Sequence, residues 1–218
     1  MKDDNKHLWI SVGDKKVLRY NHAIVDSPLQ DEPYYARSGY IHPVYSPKGE
    51  IVTDDFNPDH AHQHGIMFAW RQMNYEGRSF DGWNQKAELG KVEHTGINGY
   101  GDGPVFGYFS VEHQHVDLTA PEGPLPVLLE TWNVLVYAIE DYFLFDIESI
   151  QRCATDKPVT IEKIHYGGMM IRGHATWHGK LAYDYLTSEG KTKADGNHTR
   201  PQWVDIAGKI AGEPTGVT

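Results

Sequence analysis

Only one cysteine, Cys153, occurs among the 218 residues. An intrachain disulfide is excluded, so packing has to hold the fold. Its position at the end of a strand-like run points to a buried rather than a nucleophilic thiol. Cations are also scarce, with 20 Lys and Arg against 30 Asp and Glu and a formal charge of −10. Nucleic-acid backbones and anionic membranes call for clustered Lys and Arg, so neither is an expected partner. No apolar stretch has the length of a membrane span, and the opening MKDDNKHLWISVGD lacks the apolar core of a secretory signal. The chain therefore reads as soluble and, by default, cytoplasmic. There is no P-loop, no GxGxxG after a strand, no GxSxG, no CxxC and no HExxH, which removes the commonest nucleotide, hydrolase, redox and zincin signatures.

Histidine and β-forming residues are plentiful. The segment from Thr53 to Trp70, TDDFNPDHAHQHGIMFAW, carries Asp54, Asp55 and Asp59 with His60, His62 and His64 at alternate positions. On an extended backbone these histidines share one face, continued by Ile66, Phe68 and Trp70, whereas a turn at Asn57-Pro58-Asp59 would leave some of them as loop residues bonding backbone groups. Imidazoles so placed suit proton transfer or, with neighbouring carboxylates to orient the rings, a metal.

Strand signals run through the rest of the chain. HLWISV and KKVLRY flank Gly13-Asp14 as a hairpin, and Pro47-Lys48-Gly49 turns between two further runs, with Pro43 at an edge or a bulge. RQMNYEGRSFDGWNQKAELGK reads as a long loop with one helical turn at 85–89; within it, Trp83 beside Asn84 suits a sugar ring, and His94 follows at the end of KVEH. Phe109, Val111, His113 and His115 share a strand face, and the two histidines read as ordinary strand residues. The clearest hairpin is VLLETWNVLVYAIEDYFLFDIESIQRC. A turn at Glu140-Asp141 would gather Trp132, Val134, Val136, Phe143, Phe145 and Ile147 on one face, ending in Glu130, Ser149 and Gln151. Carboxylates near apolar groups can have raised pKa values, which makes Glu130, and secondarily Asp146 and Glu148, candidates for general acid work. His165 and Tyr166 precede a double glycine, and the polar loop after Leu186 holds Glu189, Asn197 and Arg200, the last a candidate anion anchor.

Eight ordered motifs, RSGYIHPVYSPKGE, DDFNPDHAHQHGIMFAW, GWN, KVEH, LLETW, HYGGM, LTSEGKT and GNHTRPQW, resemble a soluble bacterial family labelled methane oxygenase PmoA, or a domain of unknown function. The resemblance implies an all-β antiparallel sandwich, similar to the large sandwich of galactose mutarotases, and a place among sugar-degrading functions. It carries over His60, His62, His64, Trp83, Asn84, His94, Glu130, His165, Tyr166, Glu189, Asn197 and Arg200 as the motif polar residues. It also implies strands beyond Thr218, so residues 1–218 are expected to form one sandwich domain lacking its last strands, with an open sheet edge prone to association.

The leading expectation is a carbohydrate-processing enzyme that takes a small-molecule or oligosaccharide ligand and acts on a pyranoside or keto-sugar. His60, His62, His64, Glu130 and His165 move protons; Trp83, Asn84, His94, Tyr166, Glu189, Asn197 and Arg200 hold substrate. A metal-dependent, cupin-like hydrolase or oxygenase, with a divalent metal on His60, His62 and His64, is the alternative; no Glu follows His64 before Glu76, unlike the usual cupin order. A noncatalytic carbohydrate-binding module is the third reading.

Overall fold

The computed structural model describes residues 1–139, 141–177 and 182–218. The strands are β1 (Lys2–Asp3), β2 (His7–Val12), β3 (Lys15–Asn21), β4 (Tyr40–Val44), β5 (Ile66–Ala69), β6 (Met73–Tyr75), β7 (Arg78–Phe80) and β8 (Gly90–Gly101). They continue as β9 (Phe106–Asp117), β10 (Leu125–Tyr137), β11 (Phe145–Cys153), β12 (Thr160–Ile161), β13 (Gly168–Ile171), β14 (Tyr183–Thr187), β15 (Val204–Ile210) and β16 (Glu213–Val217). Among the described residues the only helices are 3-10 turns, at Pro33–Tyr35, Gln85–Ala87 and Ala175–Trp177. The fold is all-β, and none of its helices is long and apolar enough to cross a membrane.

Two antiparallel sheets pack face to face as a sandwich. One has the order β1-β2-β3-β4-β5-β13 and the other β11-β10-β9-β8. Alternation decides what each presents to the other: Leu8, Ile10, Leu18, Tyr20, Ile41 and Ile66 from the first meet Phe109, Val111, Trp132, Val134 and Val136 from the second. The β12-β6-β7 sheet packs Met73, Tyr75 and Phe80 on Val127 and Leu128. The β14-β15-β16 sheet adds Ile210, with Trp177, to the main core. Trp177 comes close to β15 because Gly208 has no side chain; a Cβ there would stand 2.5 Å from the indole nitrogen.

The β10–β11 hairpin has the register that its apolar alternation predicts, with Glu130 opposite Gln151, Trp132 opposite Ser149 and Val136 opposite Phe145. Its expected turn includes Glu140, which lies outside the described residues. β2 and β3 pair across Gly13-Asp14 as expected, and Pro43 sits where the β3–β4 register slips by one residue. Two expectations are corrected. The segment read as a long loop contains the β6–β7 hairpin, missed because its strands have three residues each; Glu76 (φ 47°) and Gly77 (φ 79°) form its turn. Cys153 is exposed, because β11 is the edge of its sheet.

Candidate functional site

Along the inner face of the four-stranded sheet, Phe109 and Val111 on β9 give way to buried His113, His115 and Asp117. Register places His94 on β8 opposite His113 on β9, His113 opposite Glu130 on β10, and Glu130 opposite Gln151 on β11. His115 and Ser149 flank the row. One Glu130 oxygen accepts from His115 Nε2 at 2.9 Å; the other accepts from Trp132 Nε1 at 2.8 Å, Gln151 Nε2 at 3.0 Å and Ser149 Oγ at 2.5 Å. Burial alone would raise its pKa, but His115, His113 and Ser149 outweigh burial and hold it at about 2. This corrects the expectation of a raised pKa: the apolar neighbours are there, yet four hydrogen-bond donors favour the ionised carboxylate.

From the facing sheet, the Tyr20 hydroxyl joins His113 Nε2 (2.7 Å) and His94 Nδ1 (2.8 Å), donating to one ring and accepting from the other. Burial keeps both imidazoles neutral, with pKa values of about 3 for His113 and about 4 for His94. Arg37 is buried here too, donating from Nη2 to the Phe68 carbonyl at 3.0 Å. Burial lowers its pKa to about 10, opposed first by Glu130, so it stays cationic at neutral pH and complements that carboxylate. This belt ties the two sheets together.

The histidine segment departs from the extended reading. Residues 58–62 form turns, with His60 N donating to Asn57 O and Gln63 N to His60 O, and strand alternation begins only at Ile66. Phe68 and Trp70 then point inward as expected, Phe68 edge-on to His115 and Trp70 Nε1 bonded to Gln151. His64 is fully buried, with Nδ1 2.6 Å from Asp55 Oδ1 and Nε2 2.9 Å from Gln85 Oε1. Gln85 spends its amide protons on the Tyr34 and Ala36 carbonyls, so His64 Nε2 donates to its oxygen. Tyr40 donates to the other Asp55 oxygen at 2.8 Å.

With both ring nitrogens engaged, His64 cannot join His60 and His62 in ligating a metal. Among the described residues no group of three or more His, Cys, Asp or Glu is arranged to hold one. His60 is exposed, and its ring centroid is 5.9 Å from that of His62. Burial, then His60 and His64, lower the pKa of His62 to about 4; Asp81 pulls the other way and Arg172 the same way.

Asp81 organises an open rim beside this turn. It accepts from the backbone of Trp83 and Asn84, from Asn84 Nδ2 (2.7 Å) and from Arg71 Nη1 (2.9 Å). Arg71 Nε and Asn84 Nδ2 both donate to the Tyr166 hydroxyl, at 2.8 and 3.3 Å. The Tyr166 ring meets Trp83 at 5.7 Å and His165 at 4.7 Å. The expected sugar plate is corrected, however. Trp83 is only 5% exposed and packs with Tyr40, Met67, Ala69 and Val92, so it supports Tyr166 from beneath.

A family model described as a family of unknown function, DUF6807, matches residues 7–218. The chain belongs to this family. No curated protein and no solved structure matches it.

In this DUF6807 chain the twelve carried-over positions separate into groups. Asn84, Tyr166 and His165 meet at the rim over Trp83, with His62 on the adjoining turn. Arg200 lines a shallow hollow with His165 and His198, whose rings are 6.3 Å apart. Glu130 and His94 belong to the buried belt and His64 to the Asp55 pair. Glu189 is exposed and accepts from Ser188 Oγ at 2.6 Å, while the Asn197 side chain accepts from His198 N at 3.0 Å. Asp146 and Glu148 lie on the outer sheet face, paired with Tyr137 and Asn133. Sequence reasoning missed Tyr20, Arg71, Asp81, Gln85 and the inward role of His113 and His115. For the two histidines a signal was present: a polar residue on an otherwise apolar strand face needs a buried partner.

Proposed function

We propose that this chain is a carbohydrate-processing enzyme that acts on a pyranoside or keto-sugar by proton transfer, with its reacting groups on the rim rather than at Glu130. The observation that carries the reading is the Tyr166 hydroxyl, fixed by Arg71 and Asn84 and flanked by His165. Since that oxygen accepts twice, its own proton is left for a ligand. The neutral imidazole of His62 can take a proton from, or polarise, a ligand group at neutral pH. Amide, phenol, guanidinium and imidazole together offer the mixed donors and acceptors that a polyol needs. Glu130 acts in this reading as a buried structural anion.

The test is a panel of pyranosides and keto-sugars assayed for turnover. With Tyr166→Phe and His62→Ala, kcat/KM should fall by about 10²-fold or more, the scale of a lost acid–base group, with unchanged melting temperature. Wild-type turnover in both variants would overturn the assignment. The engagement of Glu130 and His64 by their neighbours also favours a second reading, a noncatalytic carbohydrate-binding module. It predicts sugar binding that Tyr166→Phe weakens, with no reaction anywhere in the panel.

A further inference from the structure

The turn that carries His62 also places Gln63 in a cleft of about 550 Å³ between β13 and the C-terminal sheet, within the size range of small-ligand sites. Its walls are aromatic, from Trp177, Tyr183 and Tyr185, and its polar groups include Gln63, Arg172 and Lys193. Arg172 Nη1 donates to Gln63 Oε1 at 2.9 Å. Lys193 bonds the Tyr183 carbonyl and holds its ammonium 4.1 Å from the centroid of the Tyr183 ring. Both cations are thus positioned by neighbouring groups.

The charge of this lining is the reverse of the chain's. The sequence carries a formal charge of −10, yet among the described residues the cleft is lined by Arg172 and Lys193 and by no carboxylate. Asp184 alternates away from Tyr183 and Tyr185 and is exposed. A pair of cations beside aromatic rings is matched by a ring that stacks through its C–H face and bears an anion at its edge. The planar, charged guanidinium suits a planar carboxylate.

We infer that this cleft binds the carboxylate-bearing ring of an acidic carbohydrate, a uronate, next to the rim. This rests on the carbohydrate reading above and adds its substrate class. His62 on the turn and Gln63 in the cleft are consecutive residues, which joins the two regions.

The test uses a galacturonate trisaccharide and its neutral methyl ester, titrated calorimetrically into the full chain. The wild type should bind the acid at least about tenfold more tightly than the ester, the scale of one charge-assisted contact, with a preference that shrinks as salt is raised. Arg172→Gln and Lys193→Gln should each erase most of that preference, and Arg172→Lys should restore part of it, with melting temperature and near-UV circular dichroism as fold controls. Equal binding of acid and ester, unaffected by these substitutions, overturns the uronate inference and leaves the carbohydrate reading standing. A sugar phosphate that binds where the uronate does not also overturns it. Binding of neither trisaccharide overturns it as well, and the carbohydrate reading then falls only if the neutral sugar panel also fails.

Discussion

A Cβ on Gly39 would stand 2.7 Å from Cδ2 and 3.0 Å from Nε2 of His113, in a backbone conformation with φ of +72°. Gly13 has a similar φ of +56° with nothing within 4 Å of its missing Cβ. Alanine at either site meets the left-handed backbone cost, of order 1 kcal/mol. Only Gly39→Ala also displaces an imidazole of the buried belt, so it should destabilise by clearly more than Gly13→Ala in urea titrations. Equal losses would mean that His113 adjusts freely. Glu130 makes a related prediction. Glu130→Gln sets an amide NH2 among groups that all donate, leaving buried donors opposed and unpaired, and should cost about 2–4 kcal/mol of stability. If Glu130 were instead a replaceable catalytic acid, the same substitution would abolish turnover at near wild-type stability.

At the scale of elements, the segment 53–70 is divided by its burial. His64 fastens the turn to Gln85 and Asp55, whereas His62 stays half-buried beside the rim. His64→Ala should therefore destabilise by about 2–4 kcal/mol, as expected for a buried, doubly bonded side chain, and His62→Ala should leave the unfolding midpoint nearly unchanged. The reverse pattern would place His64 in the site. The same contrast explains what was legible in the sequence. The β10–β11 register, the inward face of β9 and the alternation from Ile66 onward follow from period-two patterning, which repeats over enough residues to be read. The path of His60–His64 follows instead from Asn57-Pro58 turning the chain and from Asp55 and Gln85 capturing one imidazole. Those are contacts over 9 and 21 residues that no local spacing encodes. Asn84 and Tyr166 were readable as polar candidates, but their meeting through Arg71 and Asp81 joins residues as much as 95 apart in the chain.

Across the whole molecule, four histidines and Glu130 act on stability in one direction. Burial lowers the pKa of His42, of His62 and His94 to about 4, and of His113 to about 3, all from an ordinary 6.5. Below pH 6.5 the unfolded chain binds protons at these four positions that the native chain refuses, so acid favours unfolding. Glu130 adds to this from pH 4.5 down to about 2, because the unfolded carboxyl takes up a proton while the native one, held by four donors, remains ionised. Each such group contributes a slope of at most about 1.4 kcal/mol per pH unit within its own window. Stability should thus be flat with respect to these groups above pH 7 and should fall steadily from about 6.5 toward 4, with the steepest loss where all four imidazoles contribute. Urea unfolding at closely spaced pH values measures this directly. His94→Gln keeps a hydrogen-bonding partner for Tyr20 but removes one titrating ring, so its profile should be shallower than the wild type's by about one proton's worth of slope. A wild-type midpoint that stays constant between pH 7 and 5 would mean that the belt and the turn admit protons without cost. The belt could not then be the closed, neutral array that its hydrogen bonds describe.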